Sequence, residues 1–153
     1  MALLEDQLVI KRSTLPDAGK GLFTKKIIPK GTRIVEYLGK ITTWNEVNSD
    51  EGKNKYIYFV KRNHVIDARR SRKALARYAN DAHGLKRIKG IANNADYVED
   101  GLQVFIEAKK DIPAGDEIFV NYGKEYWEVI RYNNRLTKQE EQKKMKKQNT
   151  VSY

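Results

Sequence analysis

Apolar residues come in short runs along this chain, and each run stops at glycine, proline or a polar pair. From Leu8, "LVIKRST" alternates apolar and polar positions, as a strand with one buried face does. Pro16, Gly19 and Gly21 mark "LPDAGKGLFTKK" as a turn-rich loop. "IIPKGTRIVEYLGKIT" opens on a proline–glycine turn, and Ile34, Val35, Tyr37 and Leu38 predict a strand beyond it. "TWNEVNSDEG" predicts one or two helical turns with Thr43 as N-cap. "NKYIYFVKRNHVIDA" reads as a hairpin with a polar turn at Arg62-Asn63 and a return strand ending at Asp67. "RRSRKALARYANDAHG" predicts a short helix ending before Asn80. "ADYVEDGLQVFIEAKKDIPAGDEIFVNYG" predicts three strands, turning at Asp100-Gly101 and at Pro113-Ala114-Gly115. "KEYWEVIRYNNRLTKQEEQKKMKKQN" predicts a helix that frays where apolar residues run out. Short strands, frequent turns and little helix make this a mainly β domain of small sheets.

Composition narrows the chemistry. A chain of 153 residues forms one domain with a real core. The absence of cysteine excludes disulfides, thiolate catalysis and cysteine-based zinc sites. No apolar run reaches membrane-spanning length, and "MALLEDQLVIKRS" differs from a signal peptide, so no membrane partner and a cytoplasmic location are expected, nuclear in a eukaryotic host. The net charge of +10 is uneven. Between Lys61 and Gly90 ten basic residues stand against Asp67 and Asp81. A second basic block runs from Arg135 to Lys147. Such blocks suit nucleic acid, and equally a solvated basic face. His64, in the predicted hairpin turn, and His83 read as surface histidines without partners at metal-ligand spacing, so no metal is expected.

The order of short motifs is more specific than any of them alone. "AGKGLF", "IPKGTRIVEYLGKI", "YIYF", "DARRSRKALARYAND", "NNADYV" and "LQVFIEAKKDIPAGDEIFVNYG" together resemble the SET domain of protein-lysine methyltransferases, in its minimal bacterial and viral form without cysteine-rich flanking modules. The resemblance implies a β-clip of small curved sheets with a few short helices and a pseudoknot-like C-terminal crossing. It implies a SET domain over residues 1–132, with its core at 9–127, and a basic, flexible tail over 133–153. It also implies S-adenosyl-L-methionine as cofactor and a protein substrate bearing the target lysine: a histone, a histone-like protein or another cellular protein. A catalytically silent SET-like module that binds nucleic acid or basic proteins is the rival reading. Silent members tend to lose the tyrosine, the asparagine or the glycine loop, and all three are present here. Monomer and homodimer both remain open.

Residue by residue, the resemblance makes Tyr122 the catalytic tyrosine beside the transferring methyl. Tyr56 and Tyr126 line the lysine channel with it, Tyr58 replacing Tyr56 if the strand register shifts. Gly19, Lys20, Gly21 and Leu22 form the cofactor loop, a glycine-rich backbone able to approach a ligand closely. Arg77, Tyr78, Asn80 and Asp81 match an Arg-Phe-x-Asn-His pattern, with aspartate in place of histidine. Trp127 either stacks on adenine or packs on a helix face. The family's aspartate before the last tyrosine is Asn121 here, and no catalytic role rests on it. The chemistry explains the tyrosines: a lysine must be neutral to attack a methyl group, at a cost of about 4–5 kcal/mol at pH 7. A water-poor aromatic channel lowers that cost, and phenol hydroxyls orient the amine. Because the chain itself is basic, a basic substrate requires a locally acidic groove, with Glu36, Glu46, Asp50 and Glu51 as candidates, or DNA bridging enzyme and substrate.

Overall fold

The computed structural model describes residues 3–47, 56–83, 88–123, 135 and 138–145. The chain forms two compact units, Met1–Tyr122 and Gly123–Tyr153. In the second, residues 138–145 are helical. The first is built from three small antiparallel sheets.

β1 (Leu8–Arg12) pairs with β2 (Lys20–Thr24), Leu8 opposite Thr24 and Arg12 opposite Lys20. A second sheet has the order β3-β8-β7, from β3 (Arg33–Glu36), β7 (Ala95–Asp100) and β8 (Gln103–Ala108). The third has the order β4-β6-β5, from β4 (Lys40–Thr42), β5 (Ile57–Lys61) and β6 (His64–Asp67). The two central strands are buried at their middles, Val104 to Ile106 in β8 and Val65-Ile66 in β6, and β2 is buried from Gly21 to Thr24. Between β4 and β5, α1 (Trp44–Val47) is one helical turn, with the Val47 amide donating to the Thr43 carbonyl. A 3-10 turn at Leu75–Tyr78 stands where the short helix before Asn80 is expected.

Both predicted hairpins are present. β5 and β6 turn at Arg62-Asn63, and β7 and β8 turn at Gly101-Leu102. Gly101 has φ of 61° at the first turn position, which a type II′ hairpin requires and which side chains resist. Three local expectations change. Residues 20–24, read as loop, are a strand, because β2 is covered on both faces and so shows no alternation. β4 is an added strand too short to leave a pattern. The third strand expected after β8 is a series of single bridges: Ile112 to Ile28, Glu117 to Phe23, Phe119 to Asn80 and Val120 to Ala95. The segment passes from one sheet to the next, so no strand accompanies it for more than a residue or two.

Leu22, Ile28, Ile34, Val104, Ile106, Ile112, Ile118 and Val120 are fully buried where the sheets meet. Each such side chain contributes about 1.5–3 kcal/mol of transfer free energy. Ile112, Ile118 and Val120 lie on the bridging segment, so this core fixes its path. That path runs between two others. On one side Val120 donates its amide to the Asn80 carbonyl at 2.8 Å. On the other, Asn94 and Ala95 donate to the Phe119 carbonyl at 3.0 Å, while the Asn94 side chain bonds the Glu117 carbonyl and the Phe119 amide. Asn93 and Asn94 are both buried with their amide groups satisfied in this way.

Candidate functional site

The crossing brings residues 79–81 beside residues 119–122. The Tyr122 hydroxyl donates to the Ala79 carbonyl at 2.5 Å, and its backbone amide donates to Asp81 Oδ2 at 3.0 Å. Asp81 Oδ1 in turn accepts from the His83 amide and from Asn93 Nδ2. Aspartate at this position thus braces both the tyrosine backbone and the Asn93 side chain, with an acceptor geometry that a neutral ring would not reproduce.

Tyr122 sits at one end of a row of rings. Its ring stacks with Tyr97 at 6.4 Å, Tyr97 meets Tyr58 edge-on at 5.1 Å, and both approach Tyr37 at about 6 Å. Tyr58 donates its hydroxyl to Glu99. Burial, the Glu99 charge and that hydrogen bond, in this order, push the Tyr58 phenol up to about 12. Tyr37 is buried and donates to the Tyr56 carbonyl at 2.9 Å. Of the two register alternatives, Tyr58 connects to Tyr122 through Tyr97, while the Tyr56 ring carries the Arg77 guanidinium at 4.2 Å. Tyr97 and Tyr37 are members of this row that sequence reasoning did not pick out. In strands that alternate, a tyrosine reads as an ordinary sheet residue; the alternation Asp96, Tyr97, Val98 was the available signal.

Asn80 holds the other half of the site. Its Nδ2 donates to the Lys20 carbonyl at 3.0 Å and to Glu117 Oε2 at 3.3 Å. The glycine loop is therefore tied directly to the asparagine motif, although sixty residues separate them. The two glycines serve different needs. Gly19 has φ of 70°, with open space where a side chain would stand. At Gly21 an added Cβ would lie 2.2 Å from Glu117 Oε2. The close approach that this glycine permits is to a buried carboxylate of the protein itself. Glu117, absent from the sequence-derived candidates, reads in the sequence as a second turn acid after Asp116, just before the apolar run Ile118-Phe119-Val120.

The remaining candidates are distributed as follows. Leu22 has its side chain in the core and its carbonyl taken by the Ile118 amide. Arg77 donates to the Ala68 and Arg69 carbonyls, and the Tyr78 hydroxyl donates to the Arg72 carbonyl, so both pin the turn at 68–72. Asn121 is exposed. Tyr126 and Trp127, with Asp50 and Glu51, lie outside the described residues. His64 departs from the expected surface position: it opens β6, and its buried Nε2 has no hydrogen-bond partner among the described residues. His83 is exposed. No group of three or more His, Asp or Glu among the described residues could hold a metal ion. No described helix is long and apolar enough to cross a membrane.

The arrangement offers a hydroxyl beside a main-chain carbonyl, a row of tyrosine rings, and a carboxamide whose nitrogen is bonded and whose oxygen has no hydrogen bond among the described residues. Comparison with known proteins identifies the family and the fold. A family model described as the SET domain matches residues 19–123. Histone-lysine N-methyltransferase EZH2 of Chaetomium thermophilum is 30% identical over 128 residues, 76% of this chain. The chain spans only 8% of that relative's length. Among solved structures, a humanized mutant of the Chaetomium thermophilum Polycomb Repressive Complex 2, bound to the inhibitor GSK126, superposes with a TM-score of 0.64 at 26% identity, over 85% of this chain and 16% of that one. An active polycomb repressive complex 2 in the basal state gives 0.61 at 28% identity, over 76% of this chain and 15% of that one. The methyltransferase domain of human PR domain-containing protein 2 shares the fold, with a TM-score of 0.56 at 22% identity over 76% of this chain and 77% of that one. The motif order, the β-clip of small sheets and the family match over residues 19–123 make this chain a member of the SET-domain family.

Proposed function

We propose that the chain is an S-adenosylmethionine-dependent methyltransferase acting on lysine side chains of a protein substrate. The observation that carries this reading is the meeting of Tyr122, its hydroxyl on the Ala79 carbonyl, with the locked carboxamide of Asn80 and the tyrosine row. The donor set suits the cofactor. The Asn80 oxygen would accept from an amino-acid ammonium, the backbone around Gly19 and Lys20 is approachable, and the Tyr122 hydroxyl and the Ala79 carbonyl it bonds would give a polarised methyl oxygen neighbours. When bound, S-adenosylmethionine supplies an electrophilic methyl on a sulfonium sulfur.

The protein's own part is to prepare the amine. Rings of Tyr37, Tyr58, Tyr97 and Tyr122 exclude water from one side of the channel, which favours the neutral amine over the ammonium. The hydroxyls of Tyr37, Tyr58 and Tyr122, each already oriented by a protein acceptor, leave lone pairs to direct the amine's hydrogens. Alignment of amine and methyl accounts for a large share of the rate. The acidity that a basic substrate calls for is found on β7: Asp96, Glu99 and Asp100 flank Tyr97 along one strand.

Calorimetry with S-adenosylmethionine tests the reading. We expect saturable binding to the unsubstituted protein and at least about tenfold weaker binding to Asn80→Ala, as loss of a hydrogen bond to a charged group implies. No binding heat in either protein would sink it.

A further inference from the structure

We propose that Glu117 is a positioning residue for the cofactor, deciding which end of the Asn80 carboxamide is presented to it. The inference rests on the S-adenosylmethionine reading and extends it to Glu117, which is not among the candidates read from the sequence.

Glu117 is only 4% exposed, on the crossing segment. Four donors converge on it. Ser13 Oγ reaches Oε2 at 2.7 Å and Asn80 Nδ2 reaches the same oxygen at 3.3 Å. The Thr14 amide and Thr14 Oγ1 reach Oε1 at 2.8 and 2.7 Å. A buried carboxylate requires such a set, and here the donors come from two parts of the chain far from Glu117 in sequence, residues 13–14 and Asn80. Gly21 keeps the space open, since a methyl group there would collide with Oε2.

The consequence falls on Asn80. A carboxamide has two faces of opposite character, and its orientation follows from what surrounds it. Both acceptors that Asn80 meets, the Lys20 carbonyl and the Glu117 carboxylate, lie on one side and take its two amide hydrogens. Rotating the group by half a turn would break both bonds and set oxygen against two oxygens. Among the described residues no hydrogen bond reaches Oδ1, so an acceptor is left for a cationic or N–H donor. An α-ammonium is such a donor. With glutamine at 117, an amide hydrogen would face the Asn80 hydrogens, and the carboxamide would lose its preference.

The test compares S-adenosylhomocysteine with its desamino analogue, which lacks the α-amino group, by calorimetry on the unsubstituted protein and on Glu117→Gln. We expect the variant to lose about tenfold in affinity for S-adenosylhomocysteine while its affinity for the desamino analogue is unchanged. Equal loss of both ligands would mean general loosening, and unaltered discrimination would mean no role; either overturns the proposal. Failure of the unsubstituted protein to bind S-adenosylhomocysteine at all would instead overturn the cofactor reading beneath it. If Glu117→Gln does not fold, the Asn80 side-chain amide of the unsubstituted protein decides by NMR. Hydrogens protected from exchange before and after S-adenosylhomocysteine is added support the assignment, and rapidly exchanging hydrogens reject it.

Discussion

Asn80 and Tyr122 were legible because each sits in a short motif whose neighbours are distinctive. Tyr97 and Glu117 were not, because their meaning lies in what stands across from them. Tyr58 shows how a partner changes a side chain. Its phenol, beside Glu99 and partly withdrawn from water, ionises near 12 instead of 10. Between those values the unfolded chain has released the proton and the folded chain retains it, so stability should fall as pH rises from 10 towards 12. Below pH 10 both states are protonated, so the contribution is fully present and no longer varies with pH. A phenolate absorbance titration of the folded protein, compared with Tyr58→Phe, should show one component missing from the high-pH end. A missing component centred near 10 would contradict the pairing with Glu99.

Among the strands, β7 carries the most function for its length. It lies at the edge of the described sheet, paired along its length with β8, and Ala95 at its start also bridges to Val120. Alternation puts Tyr97 and Glu99 on one face, so the ring that stacks on Tyr122 and the carboxylate that holds Tyr58 come from a single strand. An exposed carboxylate at the outer end of a tyrosine row is suited to attract a lysine before it sheds its proton. Glu99→Gln should therefore raise KM for a lysine-bearing basic peptide by about threefold, the worth of an exposed charge pair, with kcat little altered. A fall in kcat at constant KM would place Glu99 elsewhere in the reaction. The hairpin containing β7 was readable from Asp100-Gly101 and its apolar alternation. β2 was not, since Gly21 has no side chain to pattern and both faces are covered.

Across the protein as a whole, charge and topology say different things. The mainly β class and the turn positions follow from local patterns, whereas the crossing does not: nothing near Phe119 in the chain announces Asn80 as its neighbour. The charge blocks were visible from the start, and the turn after β6 gives one of them a shape. Arg69, Arg70, Arg72 and Lys73 are exposed there, while Arg77 and Tyr78 bond the backbone beneath them. If DNA bridges enzyme and substrate through this turn, methylation of a DNA-bound substrate should drop steeply with added salt, and methylation of the free peptide should not. Parallel, shallow salt curves for the two substrates would remove DNA from the picture.

The pairing of Glu117 with Ser13 and Thr14 closes a loop of more than a hundred residues. Contacts so distant are made late, after the entropy of closing the loop has been spent. During synthesis the first strands therefore wait, with Gly21 and Asn80 lacking their carboxylate, until the crossing segment has left the ribosome. On the proposed function, S-adenosylmethionine would find its site only in a finished domain, and its binding would in turn secure the last step of assembly.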